Sequence, residues 1–276
     1  MGVVSDLRVS TYESGPPGLR LVGRHASLAA SSSDLPAGAY TTLRTYGGRG
    51  VVRLGQHLVR LEESAALQGR PGSIDPAGAR RAIGAALDEA RHSESRLRLT
   101  FAPPRLFVAI EPFVPPSKRA YEEGVACATL GVQRDNPHAK DTRFIATAQG
   151  AYGRLPAGVE EGLNVSDDGD LLEGLSSNFF AVLDGALRTE EERALIGVTR
   201  SLLLEVAGGL MRVERRAVRK DDLPRVDEAC LTSVSREILP VVRIDGRPVG
   251  DGRVGPKVRG IMAAFAELVG REVERL

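Results

Sequence analysis

The stretch GLNVSDDGDLLEGLSSNFFAVLDGALRTEEERALIGVTR, residues 162–200, decides how this chain is read. Two Asp-Gly pairs punctuate it, Asp168-Gly169 before a polar turn closes and Asp184-Gly185 further on, and aspartate followed by glycine is hairpin punctuation. Between the turns lies a mostly apolar run that is predicted to be buried, yet Glu173, Ser176, Ser177 and Asn178 interrupt it. Buried polar groups need partners, so these four residues are candidates for a built polar site. Gly197-Val198-Thr199-Arg200 then opens the apolar helix that begins at Leu202, and the unpaired N–H groups of a first helical turn are where an anion docks.

Working outward, the first third of the chain mixes strands and helices. Leu19 to Val22 and Ala39 to Tyr46 read as strands, the second followed by a turn at Gly47 to Gly50. Gln56 to Gln68 places Leu58, Leu61 and Ala65 on one helical face and stops at Gly69. Asp75 caps a second helix with Pro76 at its first position, running to about Arg91. Strands follow around Leu97 to Phe101 and Leu106 to Phe113. Pro112, Pro115 and Pro116 mark a domain boundary, giving a small N-terminal α/β domain (1–117) and a larger C-terminal domain (118–276). Beyond it, Val125 to Val132 is a strand, 134–143 a polar connector, Phe144 to Leu155 a helix and Pro256 to Arg275 a closing helix. Clustered rather than alternating elements predict an α+β protein of two domains.

Composition narrows the function classes. With 37 basic and 36 acidic side chains and a net charge of +1, the chain has no field to attract nucleic acid or an anionic membrane. No apolar run is long enough for export or for spanning a bilayer, so a cytoplasmic location is expected. Cys127 and Cys230 stand far apart without metal or redox spacing and read as reduced core thiols. His25, His57, His92 and His138 lack metal-ligand spacing, so no metal is predicted, and His57 reads as a capping or packing group.

Five blocks taken together resemble the class IV, or fold-type IV, pyridoxal-phosphate enzymes: RLGQHLVRLEESAALQG (53–69), EGLSSNFFAVLDG (173–185), LIGVTRSLLLEVA (195–207), DEACLTSVSREILPV (227–241) and IDGRPVGDG (244–252). That family holds branched-chain and D-amino-acid aminotransferases, R-selective amine transaminases and aminodeoxychorismate lyase. The resemblance covers nearly the whole chain. It implies a two-domain, D-amino-acid aminotransferase-like α+β fold, pyridoxal 5'-phosphate as cofactor, and a homodimer, for which Leu35 and Arg105 are candidate contacts.

The same resemblance implies roles for individual residues. Lys140, one of only a few lysines, stands where the family carries its Schiff-base lysine. Glu173 would face the ring nitrogen, with Ser177 and Asn178 beside it. Arg60, Val198 and Thr199 would hold the phosphate, with Ser233, Val234 and Ser235 as a second rim. Arg60 has an ordinary alternative as a surface arginine paired with Glu62 or Glu63. On the substrate side, Tyr40, Thr42, Arg44 and Arg98 occupy strands that line the family's pocket, although polar-out strand positions explain both arginines equally well. There are departures: Thr41 stands where aminotransferases often have glutamate, Ile145 where branched-chain enzymes have tyrosine, and Val234 where threonine is common. The implied activity is transfer of an amino group between a branched-chain-like amino acid and a 2-oxo acid. The alternative is cleavage of 4-amino-4-deoxychorismate to 4-aminobenzoate and pyruvate.

Overall fold

The computed structural model describes residues 8–16, 18–132 and 134–276. Its helices and strands come in clusters, the α+β arrangement expected from the sequence. The chain divides into two compact units: Met1–Val114 with Ala139–Ala146 and Glu272–Leu276, and Pro115–His138 with Thr147–Arg271.

The first unit begins with β1 (Val9–Gly15), β2 (Gly18–His25), α1 (Leu28–Ser33), β3 (Ala39–Arg44), β4 (Gly50–Val52), α2 (Leu54–Leu67), α3 (Pro76–Ala90), β5 (Ser95–Ala102) and β6 (Arg105–Pro112). Five of its strands form an antiparallel sheet in the order β2-β1-β6-β5-β3. Leu43, Leu97, Leu99, Val108 and Ile110 from the sheet share one core with Leu58, Leu61 and Ala65 of α2 and with Ile83 and Ala86 of α3. The spacing of three and four residues puts the α2 contributors on one face. The Asp75 side chain accepts from the Ala77 N–H at 3.0 Å with Pro76 at the helix start, which is the cap the sequence predicts.

The second unit holds α4 (Lys118–Glu123), β7 (Val125–Leu130), most of α5 (Arg143–Tyr152), β8 (Val159–Val165), β9 (Asp170–Gly174), β10 (Asn178–Leu183), β11 (Ala186–Arg188), α6 (Val198–Ala207), β12 (Arg212–Glu214), β13 (Val218–Arg219), β14 (Glu228–Ser233), β15 (Glu237–Ile244), β16 (Arg247–Pro248) and α7 (Pro256–Glu272). Its strands follow the order β12-β11-β10-β14-β15-β7-β8-β9-β13, and β9 also pairs back to β10 through Glu173 and Asn178. Six strands, β10-β14-β15-β7-β8-β9, therefore close a ring, which removes the open edges a flat sheet would leave. Leu163, Phe179, Ala181, Leu183, Leu231 and Leu239 belong to its core. The β10–β11 hairpin turns on Asp184 (φ 53°) and Gly185 (φ 74°), the two left-handed residues a two-residue hairpin of this kind demands.

One expectation is corrected by tertiary pairing. The closing helix stops at Glu272 rather than Arg275, and β17 (Val273–Arg275) pairs antiparallel with β4. Glu274 accepts from the Leu54 N–H and pairs with Arg80, contacts that outweigh the helical preference of the tail. Among the described residues no helix is long and apolar enough to cross a membrane. Cys127 and Cys230 are buried and form no disulfide.

Candidate functional site

In the first unit, Lys140 is fixed by its backbone on both sides. Its carbonyl accepts from the Tyr40 N–H at 2.9 Å, and its own N–H donates to Ser64 Oγ of α2 at 3.1 Å. The side chain turns over the Tyr40 ring, with Nζ 4.7 Å from the ring centroid. Thr142 N donates to the Gly38 carbonyl at 3.0 Å, so the segment around the lysine is tied to the start of β3. A strand edge and a helix thus hold the backbone of this lysine in place.

Beside it lies a network centred on Thr41, which is fully buried. Its hydroxyl accepts from Arg60 Nη2 at 2.6 Å and lies 2.7 Å from His57 Nδ1. Arg60 thus reaches Thr41, and Glu62 accepts from the Ile74 N–H. The hydroxyl carries one proton and two lone pairs, so it accepts from Arg60 and meets His57 Nδ1 in the role that the imidazole tautomer sets. Burial pushes the His57 pKa well below its ordinary 6.5, and the positive charges of Arg60 and Lys140 push the same way. Because the folded value is depressed, the unfolded chain binds the extra proton first, and stability is lost as pH falls below about 6.5. His57→Gln is expected to remove this acid sensitivity, about 1.4 kcal/mol for each pH unit below that point. Thermal denaturation of both proteins from pH 7.5 to 5 checks it, and parallel curves would exclude His57 as the source.

The remaining candidates of this unit are engaged differently. Arg98 donates to the Leu28 carbonyl at 2.9 Å and to Ser32 Oγ at 2.8 Å and stacks on Tyr40 at 4.9 Å, so it ties α1 to the sheet. Burial lowers its pKa from the ordinary arginine value. Thr42 stands opposite it in the β3–β5 register. Arg44 lies over the rings of Tyr46 and Phe113 at 4.4 and 4.8 Å.

In the second unit, Glu173 ends β9 almost fully buried. Its Oε1 accepts from Arg134 Nε at 2.8 Å, while Oε2 accepts from the Leu195 N–H at 3.1 Å and Asn178 Nδ2 at 3.4 Å. The charge partner that a buried carboxylate requires is thus Arg134, a residue of the polar connector that sequence reading left without a role. Asn178 also donates to the Leu195 carbonyl at 2.6 Å and so fastens the segment leading to α6. Gly197 begins that helix, and no side chain caps it. A Cβ at Gly197 would lie 2.4 Å from Asn178 Oδ1, so only glycine allows this approach. The first turn, with Val198 and Thr199, presents N–H groups suited to an anion.

Ser177 Oγ donates to Glu161 Oε2 at 2.9 Å, and Ser233, Val234 and Ser235 lie at the β14–β15 turn. Glu161 and Arg236, which connect these two places, were also missed. Their separation in sequence is 75 residues, and no local pattern links them.

A family model described as amino-transferase class IV matches residues 38–244. The branched-chain-amino-acid aminotransferase of Pseudomonas aeruginosa is 30% identical over 168 residues, covering 57% of this chain and 54% of that protein. A putative branched-chain-amino-acid aminotransferase of Methanocaldococcus jannaschii is 30% identical over 156 residues, covering 53% and 54%. The match thus spans about half the length of these relatives. Among solved structures, a branched-chain amino acid aminotransferase of Escherichia coli superposes with a TM-score of 0.78 at 24% identity, covering 97% of this chain and 96% of that one. A putative branched-chain amino acid aminotransferase of Thermotoga maritima gives 0.78 at 25% identity, covering 95% and 96%. Another branched-chain amino acid aminotransferase, solved with pyridoxamine 5'-phosphate, gives 0.81 at 21% identity, covering 97% and 98%.

Proposed function

The chain belongs to the amino-transferase class IV family, and on that premise we propose that it moves an amino group between a branched-chain-like amino acid and a 2-oxo acid using pyridoxal 5'-phosphate. The observation that carries the reading is Lys140, an amine held in place from both sides of its backbone beside Tyr40 and the Thr41–Arg60 network.

The donor set fits that cofactor. A buried carboxylate already supplied with three donors, Glu173, suits a protonated ring nitrogen, and the glycine-capped start of α6 with Thr199 suits a phosphate. When bound, the cofactor supplies a ring that accepts the electron pair left as a substrate Cα–H bond breaks. Lys140 would hold the cofactor, and its Nζ would move the Cα proton as general base and acid. Glu173 would keep the ring nitrogen protonated. On the same reading Arg60, Val198 and Thr199 would hold the phosphate, with Ser233, Val234 and Ser235 as its second rim. Tyr40, Thr42, Arg44 and Arg98 are the residues assigned to the substrate side. The working form in this reading is a homodimer in the cytoplasm, and sedimentation at micromolar concentration reads the dimer directly.

Adding pyridoxal phosphate to the apo protein should raise a visible absorbance band, and a panel of amino donors should then discharge it, with branched-chain amino acids fastest. A protein inert to every donor would sink the reading. Release of 4-aminobenzoate and pyruvate from 4-amino-4-deoxychorismate would replace it with the lyase.

Arg60→Ala is expected to weaken pyridoxal-phosphate binding by about 2–5 kcal/mol, the usual result of truncating one partner of a hydrogen-bonded charge pair. Titration of the apo protein measures this, and unchanged affinity would leave Arg60 as no more than the partner of Thr41.

A further inference from the structure

The carboxylate of Glu161, on β8, is completely buried and receives five donors. Tyr152 OH (2.6 Å) and the Gly162 N–H (3.1 Å) reach Oε1, and Arg236 Nη2 (2.6 Å), Ser177 Oγ (2.9 Å) and Ser176 Oγ (3.2 Å) reach Oε2. Arg236 answers from the β14–β15 turn. Its Nη2 also donates to Ser176 Oγ at 2.7 Å and its Nε to Ser233 Oγ at 3.2 Å, while its backbone N–H donates to the Ser233 carbonyl at 3.3 Å.

We propose that Glu161 and Arg236 are positioning residues, a buried ion pair that locks the 174–178 turn and the 233–236 turn in the one arrangement able to receive the cofactor phosphate. The proposal rests on the pyridoxal-phosphate reading above and extends it to residues that do not touch the cofactor themselves. Three observations support it. The pair ties together two turns that lie far apart in sequence and that both carry assigned cofactor residues, Ser177 with Asn178 on one side and Ser233 to Ser235 on the other. Arg236 spends its charge on Glu161, with Nη1 4.0 Å from Glu160 Oε1, and donates from Nη2 and Nε to serine hydroxyls, so it anchors the turn instead of offering a charge to the ligand. The turn is also built around the carboxylate: a Cβ on Gly174 would lie 2.2 Å from Ser177 Oγ and 3.0 Å from Glu161 Cγ. Burial works against the Arg236 charge, but Glu161 and the tyrosine beside it hold its pKa above the ordinary arginine value. Burial and the Glu161 charge raise the Tyr152 hydroxyl, which stays a donor.

The cluster can be tested through the difference between two forms of the cofactor. Pyridoxal 5'-phosphate and pyridoxal share ring and aldehyde and differ only in the phosphate. Glu161→Gln keeps the shape but removes the charge, and Arg236→Lys keeps the charge but loses the planar fork that reaches Glu161, Ser176 and Ser233 together. Each is expected to weaken binding of pyridoxal 5'-phosphate to the apo protein by about 10–100-fold, which corresponds to about 1.4–2.8 kcal/mol, while pyridoxal binding stays within about twofold. Where a charge variant does not fold, Tyr152→Phe removes a single donor to Glu161 and should lower the same affinity ratio by a smaller factor. Folded variants whose ratio equals that of the unmodified protein would overturn the positioning role and leave the cofactor reading standing. An unmodified protein that takes up neither form would remove the cofactor reading, and the positioning role with it.

Discussion

Lys140→Ala will abolish turnover and the borohydride-reducible link to the cofactor while leaving the fold intact. Proton transfer by a placed side chain alone contributes roughly 10²–10⁴-fold, and in the proposed reading the same amine would also carry the cofactor, so the loss should be at the upper end of that range or beyond it. The fold survives because the contacts fixing this segment, Tyr40 N–H to the Lys140 carbonyl and Lys140 N–H to Ser64, belong to the backbone and pass unchanged to alanine. Of the contacts described above, the stacking of Nζ on Tyr40 is the one that is lost. The competing lysines are few: Lys220 and Lys257 face Asp245 and Asp227 at 3.5 and 3.6 Å, and Lys118 begins α4. Mass spectrometry of the reduced, digested protein decides the matter. A pyridoxyl label on Lys118 in the variant would move the anchor there and undo the assignment of Lys140.

Glu173→Gln carries the second large effect, and the structure divides it in two. Replacing the carboxylate by an amide removes the charge proposed to hold the ring nitrogen protonated, and the loss of one preorganised electrostatic group costs about 10²–10³ in rate. The substitution also breaks the ion pair with Arg134, whose side chain is only 6% exposed. Breaking a buried pair in this way costs about 3–5 kcal/mol of stability. The double variant Glu173→Gln/Arg134→Gln should recover most of the stability and none of the rate. Wild-type-like turnover in either protein would remove Glu173 from the chemistry, and an unchanged melting temperature in the single variant would show that the Arg134 pair contributes nothing.

The parts legible in the sequence are those written in local chemistry. Asp184-Gly185 announces its hairpin because few other pairs accept two left-handed residues, and Asp75-Pro76 announces a helix start. Glu173 stands out because an acidic residue inside an apolar run has few explanations. Other elements stay hidden for physical reasons. Strand β1 carries Thr11 in a fully buried position, bonded to Ser31 at 2.8 Å, and α1 is half serine, so neither shows the apolar rhythm that marks strand or helix. The charged residues that organise the site are hidden for a different reason. Arg134 meets Glu173 across 39 residues and Arg236 meets Glu161 across 75, and such pairings exist only once the sheet has closed. Sequence reading accordingly found the groups assigned to the cofactor but not the groups that hold them.

The return of residues 272–276 to the first unit sets a schedule for making this protein. Strand β4 acquires its partner β17 only after some 220 further residues have been synthesised, the distance between Leu54 and the Glu274 carboxylate that accepts its N–H. At roughly 5–20 residues per second, translation leaves the edge of Val51 and Val52 uncovered for about 10–45 s after it emerges, long enough for a neighbouring nascent chain to compete for it. Arg53 and Arg80, waiting for Glu272 and Glu274, spend the same interval without those carboxylates. A chain stalled before Glu272 would therefore first injure the β4–α2 segment made some 220 residues earlier.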